Sequence, residues 1–441
     1  MVLLTVVAAL TGHAGLAAAA IAIEEPDRVI VAKFLEHARS EAKAITKESL
    51  AKVQTPEMFC WIEFPKLNMS LTAFELTGDV GHLRDFVAGF SEMRQALVKD
   101  PEGLLGWRGK PIAPLLDPAK PDVVINEIQA EYRAVAVVSR FLELADSTEE
   151  TRKEFVPLRK EYLDLLENHL VRKWETRGHF ADLGAKGGVY RWNKEYLPRY
   201  SGLTLSHEKQ SIIIEGLLNL YRVTGKDDYL KRAAQLGTFL KRCMMLKEGR
   251  YAWNFWDPAG EWDISPEDKG KWKGWIGPEP KGQWFAATIG SAVQLYHHGV
   301  VFDARDIERL RKMQMEVAWN GDSESPKYFM VNGTAVKEPE RMISLALTPF
   351  DAKLAAFVFG GKMQEERVAK SGNAWTGGVL AGDWLAAKYL VGPKAKDGKA
   401  VYGEAVKGFF AKPQNQQFLK SFQFEVTEES YRPPLTPGEF K

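Results

Sequence analysis

Residues 179–225 read HFADLGAKGGVYRWNKEYLPRYSGLTLSHEKQSIIIEGLLNLYRVTG, and they decide how the rest of the chain is arranged. The first half, to about Leu205, is rich in Gly, aromatic and hydrogen-bonding side chains and reads as a long loop. The second half opens at Ser206, a residue type suited to a helix N-terminus, and runs as an apolar helix to the stop Thr224-Gly225. A polar, aromatic loop delivered to the start of such a helix is where chemistry collects.

The same unit recurs elsewhere. FELTGDVGHLRDF (residues 74–86) and NLYRVTGKDDYLKRA (residues 219–233) share the order apolar, Thr-Gly, charged, aromatic or His, Leu, basic. Amphipathic helices are expected at residues 27–50, 79–98, 151–174, 226–245, 303–319 and 362–370. Segments apolar on all sides fall between them, at 67–76, 123–145, 206–224, 284–299, 345–359 and 375–390. A helix apolar on every face must be covered on every face, so the alternation implies two concentric layers with the apolar helices inside. Turns from apolar to amphipathic helices are short and the returns are mostly long, which gathers the long loops at one end. Repeating hairpins of roughly 65–75 residues, six of them, close into a ring. The expectation is an all-α (α/α)6 toroid of about twelve helices with a short mixed tail, in which SFQFEV (residues 421–426) reads as a strand.

At this point the chain resembles the six-hairpin, (α/α) toroid carbohydrate-active enzymes: glycoside hydrolases, polysaccharide lyases and glucuronyl epimerase-like proteins. The resemblance rests on the Thr-Gly-x-x-x-Tyr/His-Leu turns, on Ser206-His207 opening an inner helix, and on Trp253-Asn254-Phe255-Trp256-Asp257-Pro258 before the next one. It implies a glycan substrate bound at the long-loop end.

Bulk properties narrow the function classes. The 441 residues are 45% hydrophobic and 27% charged, enough for a large core, and the net charge of +1 gives no field for nucleic acid or an anionic membrane. Residues 1–22 resemble a secretory leader cleaved near Ala20 or Ala22, although a positive first region is missing. An exported protein follows, with no membrane association after removal of the leader, a toroid over 23–392 and a C-terminal extension over 393–441. Cys60 and Cys243 are the only cysteines and read as two buried free thiols. No cofactor fingerprint is visible. His297-His298 are adjacent rather than helically spaced, so no metal site is expected.

Four constellations compete for the chemistry. Tyr190, Arg191, Asn193, Tyr196, Arg199, Tyr200, His207 and Glu208 combine acid–base groups with carboxylate-neutralising ones. Proton abstraction beside a uronic acid carboxyl needs that combination. His207, Tyr200, Tyr196 and Glu208 are the catalytic candidates, with Asn193 and Arg199 as substrate contacts. Six of the thirteen tryptophans fall in residues 251–284, so Trp253, Trp256 and Trp284, with Asn254 and Asp257, are expected to form a sugar platform, against the alternative of a loop packed on itself. A hydrolase using two carboxylates from Glu127, Glu131, Glu208, Asp257 and Asp263 is the runner-up, and needs them roughly 5–9.5 Å apart. A non-catalytic glycan-binding toroid is the third reading.

Overall fold

The computed structural model describes residues 21–395 and 398–440. The expected leader therefore lies, except for its last two residues, outside the described residues.

Twelve helices of the described residues alternate between two layers. In chain order they are α1 (Arg28–Lys43), α2 (Phe64–Thr77), α3 (Gly81–Gln95), α4 (Ile128–Ala145), α5 (Glu149–Asp164), α6 (His207–Thr224), α7 (Asp227–Arg242), α8 (Gly282–His297), α9 (Ala304–Met313), α10 (Ala352–Phe359), α11 (Gly361–Ala369) and α12 (Leu380–Leu385). Wider π-wound turns lengthen several of them: Phe59–Glu63 precedes α2, and Ala374–Val379 and Ala386–Val391 flank α12.

The even-numbered helices form the inner ring. α2 packs on α4, α4 on α6, α6 on α8, α8 on the Leu345–Phe350 turn that leads into α10, and α12 returns to α2. The odd-numbered helices cover them from outside, α3 on α2, α5 on α4, α7 on α6, α9 on α8 and α11 on α10, while α1 covers α2 and α12. This is a closed (α/α)6 toroid.

The turn chemistry explains the internal echo. Gly78 and Gly225 each end an inner helix in the left-handed conformation, φ 71° and 67°, and each donates its N–H to the carbonyl four residues back at 2.7 Å. The preceding threonines behave alike: Thr77 Oγ1 donates to the Ala73 carbonyl and Thr224 Oγ1 to the Leu220 carbonyl, both at 2.7 Å. Leu83 and Leu230 then point into the core at the same offset, fully buried.

Two expectations change. The inner helices are not apolar on every face: α4 carries Arg133 and Arg140, α6 carries Ser211, Glu215, Asn219 and Arg222, and α12 carries Asp383, all lining an axial cavity. Residues 421–426 form no strand, because the segment lies along α7 rather than beside a sheet edge; the Arg242 guanidinium sits 4.3 Å over the Phe424 ring. The few strands present are short antiparallel pairs in the long loops, such as Phe180–Asp182 with Gly188–Tyr190 and Met245–Lys247 with Arg250–Ala252.

Candidate functional site

The inner helices enclose a cavity of about 2820 Å³ along the ring axis. Its walls follow from helical periodicity. On α4 the lining includes Arg133, Ala136, Val137, Arg140 and Glu143, and on α6 Ser211, Ile212, Glu215, Asn219 and Arg222, mostly at spacings of three and four that place one stripe on one face, with the last turns adding Leu144 and residues 221–224. Trp61, Gln283 and Trp375 line the cavity at or near the starts of their inner helices, the end where the long loops gather. Trp375 is 47% exposed, so its ring is offered to the cavity.

Deeper in, the polar groups are almost all matched. Glu215 pairs with Arg133 at 2.8 Å, Glu75 with Arg140 at 2.5 Å, and Glu143 with Arg222 at 2.9 Å. Arg140 also donates to Asn68 Oδ1 at 2.6 Å. Asp383 is the exception. It lies eight residues beyond Trp375 in the same helical stretch, further from the end where the long loops gather. Among the described residues its carboxyl makes no hydrogen bond or ion pair. Its side chain is exposed to the cavity, and desolvation by the surrounding protein lifts it to about 6 in spite of nearby Arg133, Arg140 and Arg367, with Glu215 pushing the same way. Arg367 is under-partnered as well: one of its amino groups donates to the Leu380 carbonyl, Nε has no partner, and burial lowers the guanidinium to about 10. A protonatable, unpaired carboxyl in a large polar cavity can deliver or receive a proton.

A second cluster sits at the mouth. Lys209 Nζ donates to Gln129 Oε1 at 2.8 Å, lies 3.8 Å from Glu57 Oε1, and stands over the rings of Trp192 (4.9 Å) and Trp61 (5.7 Å). Glu127 closes this cluster from behind. Burial, reinforced by Glu57, pushes it up to about 7, and the Tyr196 hydroxyl and Gln129 Nε2 donate to it.

None of the sequence-derived site residues lines the cavity. His207, Asn254 and Asp257 do come together: His207 Nε2 meets Asp257 Oδ2 at 2.9 Å and Asn254 Nδ2 donates to Asp257 Oδ1 at 2.8 Å. This group is buried between α6 and α7, with the His207 ring against Phe239. Glu208 accepts from Ser206 Oγ at 3.1 Å, and burial raises its carboxyl. Tyr196 is held by Glu127 and Asn193 by the Asn126 carbonyl, at 2.7 Å for the latter, so both anchor the loop to the start of α4. Arg199 is exposed and lies over the Tyr200 ring at 4.8 Å, away from the axis.

The tryptophan platform needs correction. Trp253 is fully buried, donates to Glu279 Oε2 at 2.7 Å and stacks on Phe285; Trp256 is buried and donates to the Thr204 carbonyl at 2.8 Å. Trp284 stacks on Phe255 with centroids 4.5 Å apart. The loop packs on itself, with neither Trp253 nor Trp256 offering a ring face. Among the carboxylate candidates, Glu131 is bound by Lys173, Trp174 and Asn126 and holds the two layers together, and Asp263 accepts from Thr204 and Ala259 inside the loop.

Sequence reasoning missed Asp383, Glu215, Arg133, Arg367 and Trp375. The signal was present: a lone Asp within the apolar run 375–390, and polar residues at helical spacing in segments taken as apolar on all faces.

No family model matches the chain, and no curated protein matches it. Among solved structures it is similar to an inactive variant of the α-1,6-mannanase GH76A of Salegentibacter sp. HEL1_6 in complex with α-1,6-mannotriose. That match has 14% identity and a TM-score of 0.45, over 82% of this chain and 98% of the other. It is also similar to a D-mannose isomerase, at 13% identity and a TM-score of 0.40, over 75% of this chain and 76% of the other. The likeness is one of chain path and brings no residue roles with it.

Proposed function

We propose that this protein is a glycan-active enzyme that takes a saccharide into the axial cavity and cleaves a glycosidic bond. Asp383 acts as the proton donor, and Glu215, held by Arg133, as the second carboxylate. One observation carries the reading: the Asp383 carboxyl stands unpaired and exposed to the cavity, lifted to about 6 by the protein around it, near a carboxylate whose charge an arginine matches. Two carboxyl groups set to different tasks by their surroundings are what glycoside hydrolysis uses. Trp61 and Trp375 supply apolar ring faces at the entrance. An exported location follows from the leader-like residues 1–22; no helix among the described residues is long and apolar enough to cross a membrane.

The test is release of reducing ends from a panel of oligosaccharides and polysaccharides by the native chain and by Asp383→Asn and Glu215→Gln. Turnover lost in both variants, with binding kept, supports the reading. Turnover unchanged in Asp383→Asn sinks it, and binding without turnover by the native chain leaves a glycan-binding toroid.

A second reading is favoured by a specific observation. Arg133 and Arg367 line the cavity, and among the described residues Arg367 forms no ion pair; such a guanidinium suits a substrate carboxylate. On a uronic-acid-containing glycan the same Asp383 would abstract the proton beside the carboxyl group, as in a lyase or epimerase. Elimination creates a double bond that absorbs in the near ultraviolet, and hydrolysis does not.

A further inference from the structure

Away from the cavity, the first turn of α6, the end of α7 and the loop that follows meet in a buried cluster. His207, Cys243 and Asp257 are each almost fully buried, and a ring nitrogen, the thiol sulfur and a carboxylate oxygen lie within 4.8 Å of one another. Burying these three side chains costs free energy unless their polar capacity is used. Here it is only partly used. His207 Nε2 shares a hydrogen bond with Asp257 Oδ2 at 2.9 Å, and Nδ1 has no partner. The other carboxylate oxygen, Oδ1, is held by Asn254 Nδ2 at 2.8 Å and by the Tyr431 hydroxyl at 2.7 Å, which leaves Oδ2 facing the ring. The Tyr431 hydroxyl also reaches the Cys243 thiol.

Imidazole, thiolate and carboxylate form a mixed donor set that suits zinc, and a carboxylate oriented through its second oxygen is the outer support such ligands need. We infer that His207 Nε2, Cys243 Sγ and Asp257 Oδ2 bind one zinc ion. The ion takes the place of the hydrogen between ring and carboxylate. That hydrogen moves to His207 Nδ1 and the Cys243 thiol releases its proton, so one proton leaves for each ion bound. Tyr431, beside both Cys243 and Asp257, stands next to the fourth position. The ion ties the start of α6 to the end of α7 and to the 243–281 loop, with Tyr431 of the C-terminal extension resting against two of its ligands, a structural role independent of the cavity chemistry. The expectation of no metal site rested on His297-His298 and does not reach these three residues, which are far apart in sequence.

The test uses the full-length chain, stripped with a chelator and then titrated separately with Zn2+ and Co2+. The expected result is about one equivalent bound, about one proton released, a higher thermal midpoint, and a thiolate-to-cobalt charge-transfer band. The band disappears in Cys243→Ser, and affinity falls roughly tenfold or more in Asp257→Asn. No tight binding by the native chain, a cobalt spectrum without the thiolate band, or equal binding in Cys243→Ser would each overturn the proposal, leaving a hydrogen-bonded junction only. Should Cys243→Ser fail to fold, the cobalt spectrum of the native chain decides alone.

Discussion

The carboxyl groups of Asp383, which is exposed to the cavity, and of Glu279, which is buried, are both lifted by the protein around them, and their settings give them different consequences. Asp383 faces the cavity, so its proton is available to a ligand. If it is the acid of the reaction, kcat/KM falls as pH rises through about 6, and the pH–rate profile of the native chain against its substrate measures this directly. Asp383→Asn should lower kcat by about 100-fold or more, in the range of lost general acid catalysis, while leaving the unfolding midpoint nearly unchanged. Glu279 is sealed inside, where Trp253 Nε1 and Thr288 Oγ1 donate to it, and burial pushes it up to about 8. The folded chain therefore keeps a proton that the unfolded chain has released, and the stability associated with Glu279 is lost as pH rises from about 4.5 through about 8. The loss is on the order of 5 kcal/mol. Glu279→Gln should be close to neutral at pH 5 and more stable than the native chain at pH 9. A midpoint difference that does not grow with pH would show that the proton is not held there.

At the scale of elements, the division of labour between tryptophans separates packing from recognition. Trp256→Ala opens a hole inside the 243–281 loop and removes the bond to the Thr204 carbonyl, so it should cost about 3–5 kcal/mol in denaturant unfolding. Trp375→Ala removes a half-exposed ring from the cavity wall and should leave stability almost unchanged. It should raise KM roughly fivefold, about 1 kcal/mol of aromatic contact, with kcat little altered. The reverse pattern would mean that the loop, and not the cavity wall, meets the glycan. This contrast also marks how far the sequence was legible. The Thr-Gly stops and the alternation of helix types reported real features, because a left-handed glycine and a covered helix are local and periodic. Which face of an inner helix a polar residue occupies depends on where the ring axis lies, and that is known only once the ring closes. Arg133 could be assigned to Glu131 by proximity in sequence, yet Lys173 takes Glu131 and Arg133 turns inward to Glu215. Tryptophan density in a loop likewise fails to separate a small core from a platform, since both need the same residues.

For the whole molecule, closure is the distinguishing problem: the last inner helix must find the first elements of the chain. The seam is built around Asp27, which is completely buried just ahead of α1. Lys388 Nζ reaches Asp27 Oδ2 and Glu24 Oε2, each at 2.5 Å, and the Tyr389 hydroxyl and Gln364 Nε2 also donate to Asp27. One carboxylate thus joins α1 to α11 and to the turn after α12, across more than 300 residues of chain. Removing it leaves the partly buried Lys388 ammonium with only the exposed Glu24 and takes the acceptor from Tyr389 and Gln364; breaking a buried pair in this way costs up to about 3–5 kcal/mol. Asp27→Ala should lower the urea midpoint accordingly. Because each inner helix is flanked by two others, the loss should not spread evenly: α1, α11 and α12 lose packing on one side, whereas α6 keeps both neighbours. Hydrogen exchange is the decisive measurement. Protection in Asp27→Ala should fall first in α1 and around α12, and α6 should exchange only with global unfolding. Equal loss of protection in all helices would mean that the ring unfolds as one unit, with no weak point at the seam.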